Sequence, residues 1–251
     1  MCGRYQLTLP LEALSDLFQV DNDAEAYPPR YNIAPTQPIH VVRAATGSGR
    51  ALTLMRWGLI PSFVKDPKDF PLLINARSET AAEKPAFRNA VRRRRALIPA
   101  TGFYEWRREG KVKQPFFFAP QRPIAFAGIW ETWCGPNGEE METAAILTAA
   151  AEGVPAEYHD RMPLTVPESA FSDWLDPHNE NGHEALSLTQ KDLFEVRPVS
   201  RRLSNARNEG EGLMLPDPEP PQDAAPHDSR AAPPKKPKRK TPPDDDAPRL
   251  I

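Results

Sequence analysis

The sequence has 251 residues, with 32 basic and 34 acidic side chains and a formal net charge of −2. That balance removes any whole-chain electrostatic case for nucleic acid, so such a role has to rest on local clusters. Two cysteines, Cys2 and Cys134, exclude a secreted disulfide framework. No stretch has the length of a membrane span, so a cytoplasmic protein is expected.

The chain opens MCGRY. Met1 is expected to be removed, because Cys2 is small enough for methionine aminopeptidases, and Cys2 would then carry a free α-amine beside its thiol. From these five residues alone, an accident of position is the plainer reading of Cys2. The first apolar run, LTLPLEALSDLF, holds acids and has no cleavage site, so no signal peptide is expected. Within LEALSDLFQV, Leu11, Leu14, Leu17 and Phe18 fall on one face of a helix. IHVVRA, ALTLMRWGLI, RALIPATGFYEW, QPFFFAP, IAFAGIWETW and TAAILTAA read as strands separated by turn residues. SAFSDWL and TQKDLFEV read as short helices, started by Pro167 or Ser169 and by Thr189. Strand and helix do not alternate regularly, which argues against a doubly wound sheet. The expectation is an α+β domain on a largely antiparallel, barrel-like sheet, spanning residues 1–212 without an internal boundary.

Composition changes after residue 212: residues 213–251 hold eleven prolines, seven acids and seven bases. The charges are blocked as DPEPPQD, PPKKPKRK and DDD, so this segment is expected to be a disordered tail with too little apolar surface to order itself. Its basic block, Lys235, Lys236, Lys238, Arg239 and Lys240, fits either loose phosphate tethering or a solvated face.

Three polar clusters interrupt the apolar strands. INARSET places Asn75, Arg77, Ser78 and Glu79 after PLLI, where structural duty for Asn75 and a helix start at Ser78 are the plainer readings. Glu105 sits between Tyr104 and Trp106, against β propensity. Alternation puts it on the side of Phe103, so it is either solvent-facing or an acid/base group in a cleft. EYHDRMP holds His159, which has the best surroundings for chemistry of the five histidines and is otherwise a hydrogen-bonding loop residue. His40 starts a strand, and His178, His183 and His227 lie in loop or tail. No zinc spacing and no phosphate-cradling glycine motif is present, so neither metal nor nucleotide cofactor is expected. Arginines are dense at Arg92–Arg95, and Trp57, Phe63, Trp106 and Trp130 could stack bases, weakly consistent with single-stranded nucleic acid.

Taken in order, MCGRY, YNIAPTQ, MRWGLIPS, INARSET, LIPATGFYEW, FAGIWE, HDRMP and SNARN resemble the SRAP family across roughly residues 2–209. These are the SOS response-associated peptidase-like proteins that crosslink to abasic sites in DNA. The resemblance implies that Cys2 is the nucleophile and that Asn75, Glu105 and His159 complete the active site. It implies phosphate and abasic-site contacts for Arg4 and Arg77, with Thr148 and Arg161 as companions. Ala96 stands where the family often has a cysteine. The implied partner is single-stranded DNA bearing an abasic site, bound by a monomer, in a bacterium at the nucleoid, with no partner motif for the tail. The implied chemistry is a thiazolidine crosslink, with lyase activity, crosslink reversal and self-removal of Met1. The alternative is an amino-terminal-nucleophile hydrolase acting on amides.

Overall fold

The computed structural model describes residues 2–20, 26–47, 49–110, 112–179, 182, 186 and 194–217. Strand β1 (Tyr5–Leu7) leads into helix α1 (Leu11–Phe18), which buries Leu14 and Phe18 and ends at Gln19 in a left-handed cap. Strands β2 (Arg30–Ile33), β3 (Pro38–Ala44), β4 (Arg50–Trp57) and β5 (Asn75–Arg77) follow, then short helices α2 (Ser78–Ala81) and α3 (Arg88–Arg93). The long strands come next: β6 (Arg95–Ala100), β7 (Gly102–Glu109), β8 (Val112–Pro120), β9 (Ile124–Cys134) and β10 (Glu140–Ala150). The chain closes with β11 (Arg161–Pro163), β12 (Thr165–Val166), helix α4 (Phe171–Leu175) and β13 (Phe194–Pro198).

Two sheets result. In one, β4, β3, β6, β9 and β10 pair in sequence, and β10 returns to β4, closing a five-stranded barrel. All these pairings are antiparallel except β10 with β4. Closure leaves no open edge among these strands. Beyond the ring, β10 also pairs with β5 and β11, and β9 with β12. The second sheet is antiparallel, in the order β13-β8-β7-β1-β2. Strand β6 is buried at every position, the pattern of a strand covered on both faces. Trp174 of α4 caps its outer side, donating its indole N–H to the Ala96 carbonyl at 2.7 Å.

The segment RALIPATGFYEW therefore crosses between the sheets. It does so at Gly102, whose φ of 151° is reserved for glycine and whose Cβ would meet the Phe117 ring at 2.3 Å. Aromatic rings fill the seam: Phe103 stacks on Phe118 at 4.6 Å, and Tyr5 meets Trp57 and Phe126 edge-on at 5.3 and 5.8 Å.

One expected helix is overturned. The end of TQKDLFEV, from Phe194, is strand β13, paired with β8 from Phe194↔Pro120 to Pro198↔Phe116. Pairing against the free side of β8 outweighs local helix preference. Thr189, Lys191 and the rest of that run lie outside the described residues, as do His183, His227 and the basic block at Lys235. The compact body runs to Asp217. Leu213 and Met214, past the composition change, are buried with Tyr104, Phe117, Val199 and Leu203. No helix among the described residues is long and apolar enough to cross a membrane.

Candidate functional site

The seam brings four separate segments together. Cys2 enters just ahead of β1 and is buried, its Sγ 3.9 Å from the Arg4 carbonyl. Asn75, the first residue of β5, donates its Nδ2–H to the Cys2 carbonyl at 2.9 Å. It can do so because β5 runs alongside β10 at the mouth of the barrel, with Asn75 opposite Ile146. The Asn75 Oδ1 is buried with no hydrogen-bond partner among the described residues, an acceptor left for an incoming group.

Glu105 is 6% exposed on β7, directly opposite Phe116 of β8. The strand alternation is as expected: Phe103 faces the main core, whereas Tyr104 and Trp106 face the cluster around Val199 and Leu203. Burial pushes the Glu105 carboxyl up to about 7. It also pushes up the Cys2 thiol, with the Glu105 charge adding to the rise. His159 lies in the turn ahead of β11, about one-third exposed, and burial pulls its pKa down. The positive charge of the amino terminus enters all three of these shifts, opposing the rise at Cys2 and Glu105 and deepening the fall at His159. Nδ1 of His159 accepts the Arg161 main-chain N–H at 2.9 Å, which leaves the ring proton of the neutral form on Nε2. The same Nδ1 is 2.7 Å from Asp160 Oδ1, so a protonated ring would turn that contact into an ion pair.

The four residues expected to bind DNA divide. Arg77 is exposed and makes no ion pair among the described residues. Arg4 is half-buried, donating from Nη1 to Asn32 Oδ1 at 2.7 Å and to the Leu203 carbonyl at 2.9 Å, with its guanidinium 5.7 Å from the Trp106 ring. Arg161 forks onto Glu79 at 2.6 and 2.8 Å and also donates to the Thr148 carbonyl. That pairing holds Glu79 down to about 2. Thr148 is buried, opposite Arg77 on one side and Pro163 on the other. Of the candidate stacking rings, Trp57 is core, Trp106 and Trp130 are half-buried, and Phe63 is exposed.

Asn32, in YNIAPTQ, was given no role from sequence, yet it is a hub. Its Nδ2 lies within bonding distance of the Leu203, Asn205 and Asn208 carbonyls, so it ties the SNARN segment to β2 and to Arg4. A buried Asn inside a strand whose neighbours are apolar is the signal that could have found it. An apolar cavity of about 470 Å³ beneath α1, walled by Leu17, Phe18, Ile124 and Phe171, contains none of these residues.

Chemically, the site combines a held amino-terminal segment, a carboxyl that titrates near neutrality, a neutral imidazole and an unused amide oxygen. Among the described residues, no group of three or more His, Cys, Asp or Glu could hold a metal.

Comparison with known proteins points the same way. The family profile described as SOS response associated peptidase (SRAP) matches residues 1–206. The abasic site processing protein YoqW of Bacillus subtilis is 35% identical over 222 residues, covering 85% of this chain and 99% of that protein. YedK of Escherichia coli, also named an abasic site processing protein, is 34% identical over 228 residues, covering 86% of this chain and all of that one. A solved Bacteroides thetaiotaomicron protein, 22% identical, shares the fold with a TM-score of 0.75 over 86% of this chain and 99% of its own.

Proposed function

Because the chain belongs to the SOS response associated peptidase family, we propose that it processes abasic sites in single-stranded DNA by crosslinking to them through Cys2. The observation that carries this reading is the Asn75 bond to the Cys2 carbonyl, which holds Cys2 at the wall that bears Glu105. Hydrolysis of the Met1–Cys2 peptide, by an aminopeptidase or by the site itself, first frees the Cys2 amine.

The neutral amine, with a reference pKa of about 7.7–8.0, attacks the C1′ aldehyde of the open abasic sugar. The carbinolamine loses water to give an imine, and the thiol adds across the C=N bond, its proton passing to nitrogen. The product is a thiazolidine, and no oxidant or metal enters the balance. Glu105, near half-ionised at neutral pH, takes the proton from the attacking amine and returns it to the departing hydroxyl. His159 moves the proton at ring closure and at its reversal. Asn75 Oδ1 accepts a hydrogen bond from a hydroxyl of the opened sugar. Exposed Arg77 neutralises a flanking phosphate, while Arg4, Thr148 and Arg161 shape that wall. The imine also permits β-elimination at the sugar, hence lyase activity.

In the amide-hydrolase alternative the Cys2 thiol makes the first attack, and burial and Glu105 work against its thiolate; in the crosslink the amine attacks first and the thiol only closes the ring. The protein acts as a monomer on chromosomal DNA in the cytoplasm, and the body that runs to Asp217 carries the reaction. Incubating the purified chain with a single-stranded oligonucleotide bearing one abasic site gives a denaturation-resistant shifted band. The band is absent with Cys2→Ala, and the intact mass lacks Met1. A Cys2→Ala band of undiminished strength overturns the reading.

A further inference from the structure

We propose that Tyr158, gripped by Arg107 and Phe116, is a positioning residue that sets His159 against Glu105. The inference rests on the function proposed above. Glu105 and His159 are carried by different sheets: Glu105 belongs to β7, whereas His159 sits in the turn between β10 and β11, outside the barrel. Backbone bonds tie that turn to its own sheet, from Ala151 N–H to the Asp160 carbonyl and from His159 N–H to the Pro155 carbonyl. They do not reach across the seam.

Tyr158 does. Glu105 and Arg107 share one face of β7, and Phe116 stands opposite Glu105 on the neighbouring strand. The Tyr158 ring rests on this same patch. Its centroid is 4.8 Å from that of Phe116 and 5.3 Å from that of Phe118, and the Arg107 guanidinium carbon lies 4.9 Å from it. Arg107 is also 4.6 Å from the Phe116 ring, so the cation closes a three-membered stack. The residue after Tyr158 is His159, so fixing this ring on the face that carries Glu105 fixes the spacing of the two proton-transfer groups. Displacements of about 1 Å at such a pair are enough to cost large factors in rate. The contacts of Tyr158 across the seam are made by its ring, on Phe116, Phe118 and Arg107.

The test follows release of DNA from the preformed crosslink in the full chain, the step assigned to His159. Tyr158→Ala is expected to slow release about tenfold or more, Tyr158→Phe to stay within about twofold, and Arg107→Met to fall between. In a His159→Ala background, Tyr158→Ala is expected to change nothing further, because both act through one imidazole. An additive loss in that background, or a Tyr158→Phe variant as slow as Tyr158→Ala, overturns the proposal. If wild type forms no crosslink, the functional reading fails by itself, and the positioning claim is read from the His159 ring resonances. Those resonances are expected to move in Tyr158→Ala and to stay in Tyr158→Phe. Unmoved resonances in Tyr158→Ala sink the proposal, and Tyr158→Leu replaces it should the alanine variant not fold.

Discussion

The two walls of the seam differ in what their polar groups are free to do. On the side of the second sheet, β13-β8-β7-β1-β2, Cys2 and Glu105 are buried acids whose titrations burial has moved upward. On the barrel side, Asn75, Thr148 and Arg161 spend their donors on carbonyls and on Glu79, fastening one segment to the next. His159, on the turn ahead of β11, shares both habits: its Nδ1 is occupied by a main-chain donor while the ring still titrates, pulled down by burial. On the function proposed above, one wall reacts and the other holds. Substitutions should then change rate and pH profile on the first wall, and position or stability on the second.

The largest effect expected is on the reacting wall. Glu105→Gln keeps the shape and removes the proton carrier, so crosslinking should slow by about 10²- to 10⁴-fold. The remaining rate should lose the inflection near pH 7 that the raised carboxyl gives wild type. Single-turnover gel assays across pH check both. A Glu105→Gln variant with an intact inflection would move the titrating group elsewhere and erase the contrast between the walls.

Next in size is a purely structural arginine of the barrel. Arg95 donates to the carbonyls of Val91, Arg92, Trp174, Asp176 and Asn179, and is almost fully buried. Arg95→Met strands those carbonyls, each worth about 1–3 kcal/mol when left unsatisfied, so a loss of about 3 kcal/mol or more is expected in denaturant melts. Arg93→Ala, at an exposed position two residues earlier, should stay within about 0.5 kcal/mol. Crosslinking by whatever folds should be unchanged in both.

That pair also shows where the sequence was readable. The arginine run looked like one phosphate-binding cluster, but the fold divides it: Arg95 is inside, Arg94 pairs with Glu131 at 2.6 Å, and Arg92 and Arg93 face outward. Charge composition cannot tell these apart, because burial of an arginine depends on carbonyls arriving from α4 and the turn beyond it. The strands and the side on which Glu105 falls were legible, since a period of two needs only local residues. The candidate residues came from motif order, and the fold brings two of them, Cys2 and Asn75, into a hydrogen bond. Barrel closure was not, because the parallel return of β10 to β4 joins segments far apart in sequence. Nor was Tyr158, whose partners on β7 and β8 come from the other sheet.

The reacting wall should carry a cost in stability. Glu105 binds its proton more tightly folded than unfolded, so the native state holds more protons between about pH 4.5 and 7. Stability is therefore greatest below that window, declines as pH rises through it, and levels off above. The loss is at most about 3 kcal/mol. Thermal melts in Glu105→Gln should lack this decline, and a decline that persists would assign it to another group. Asn75→Asp is smaller still in its expected reach. It replaces the donor to the Cys2 carbonyl with an acceptor, so crosslinking should slow by about ten- to a hundredfold. The inflection given by Glu105 should remain.

The smallest effect is expected where the holding wall meets solvent. Arg161 and Glu79 form a two-pronged pair, yet the Glu79 side chain is 49% exposed. An exposed pair contributes less than about 1 kcal/mol, because water and salt screen it. Its carboxyl is held down to about 2 by the Arg161 bond, so whatever it contributes is present above about pH 4.5 and is lost as pH falls toward 2. Glu79→Gln should thus cost under about 1 kcal/mol near neutral pH, less in high salt, and nothing once the pH is well below 2. Crosslinking should change by less than about threefold, since Arg161 keeps its bond to the Thr148 carbonyl and its main-chain bond to His159. A loss in rate comparable to that of Glu105→Gln would place chemistry on the barrel wall. The division between a reacting and a holding side would then fail at its most exposed joint.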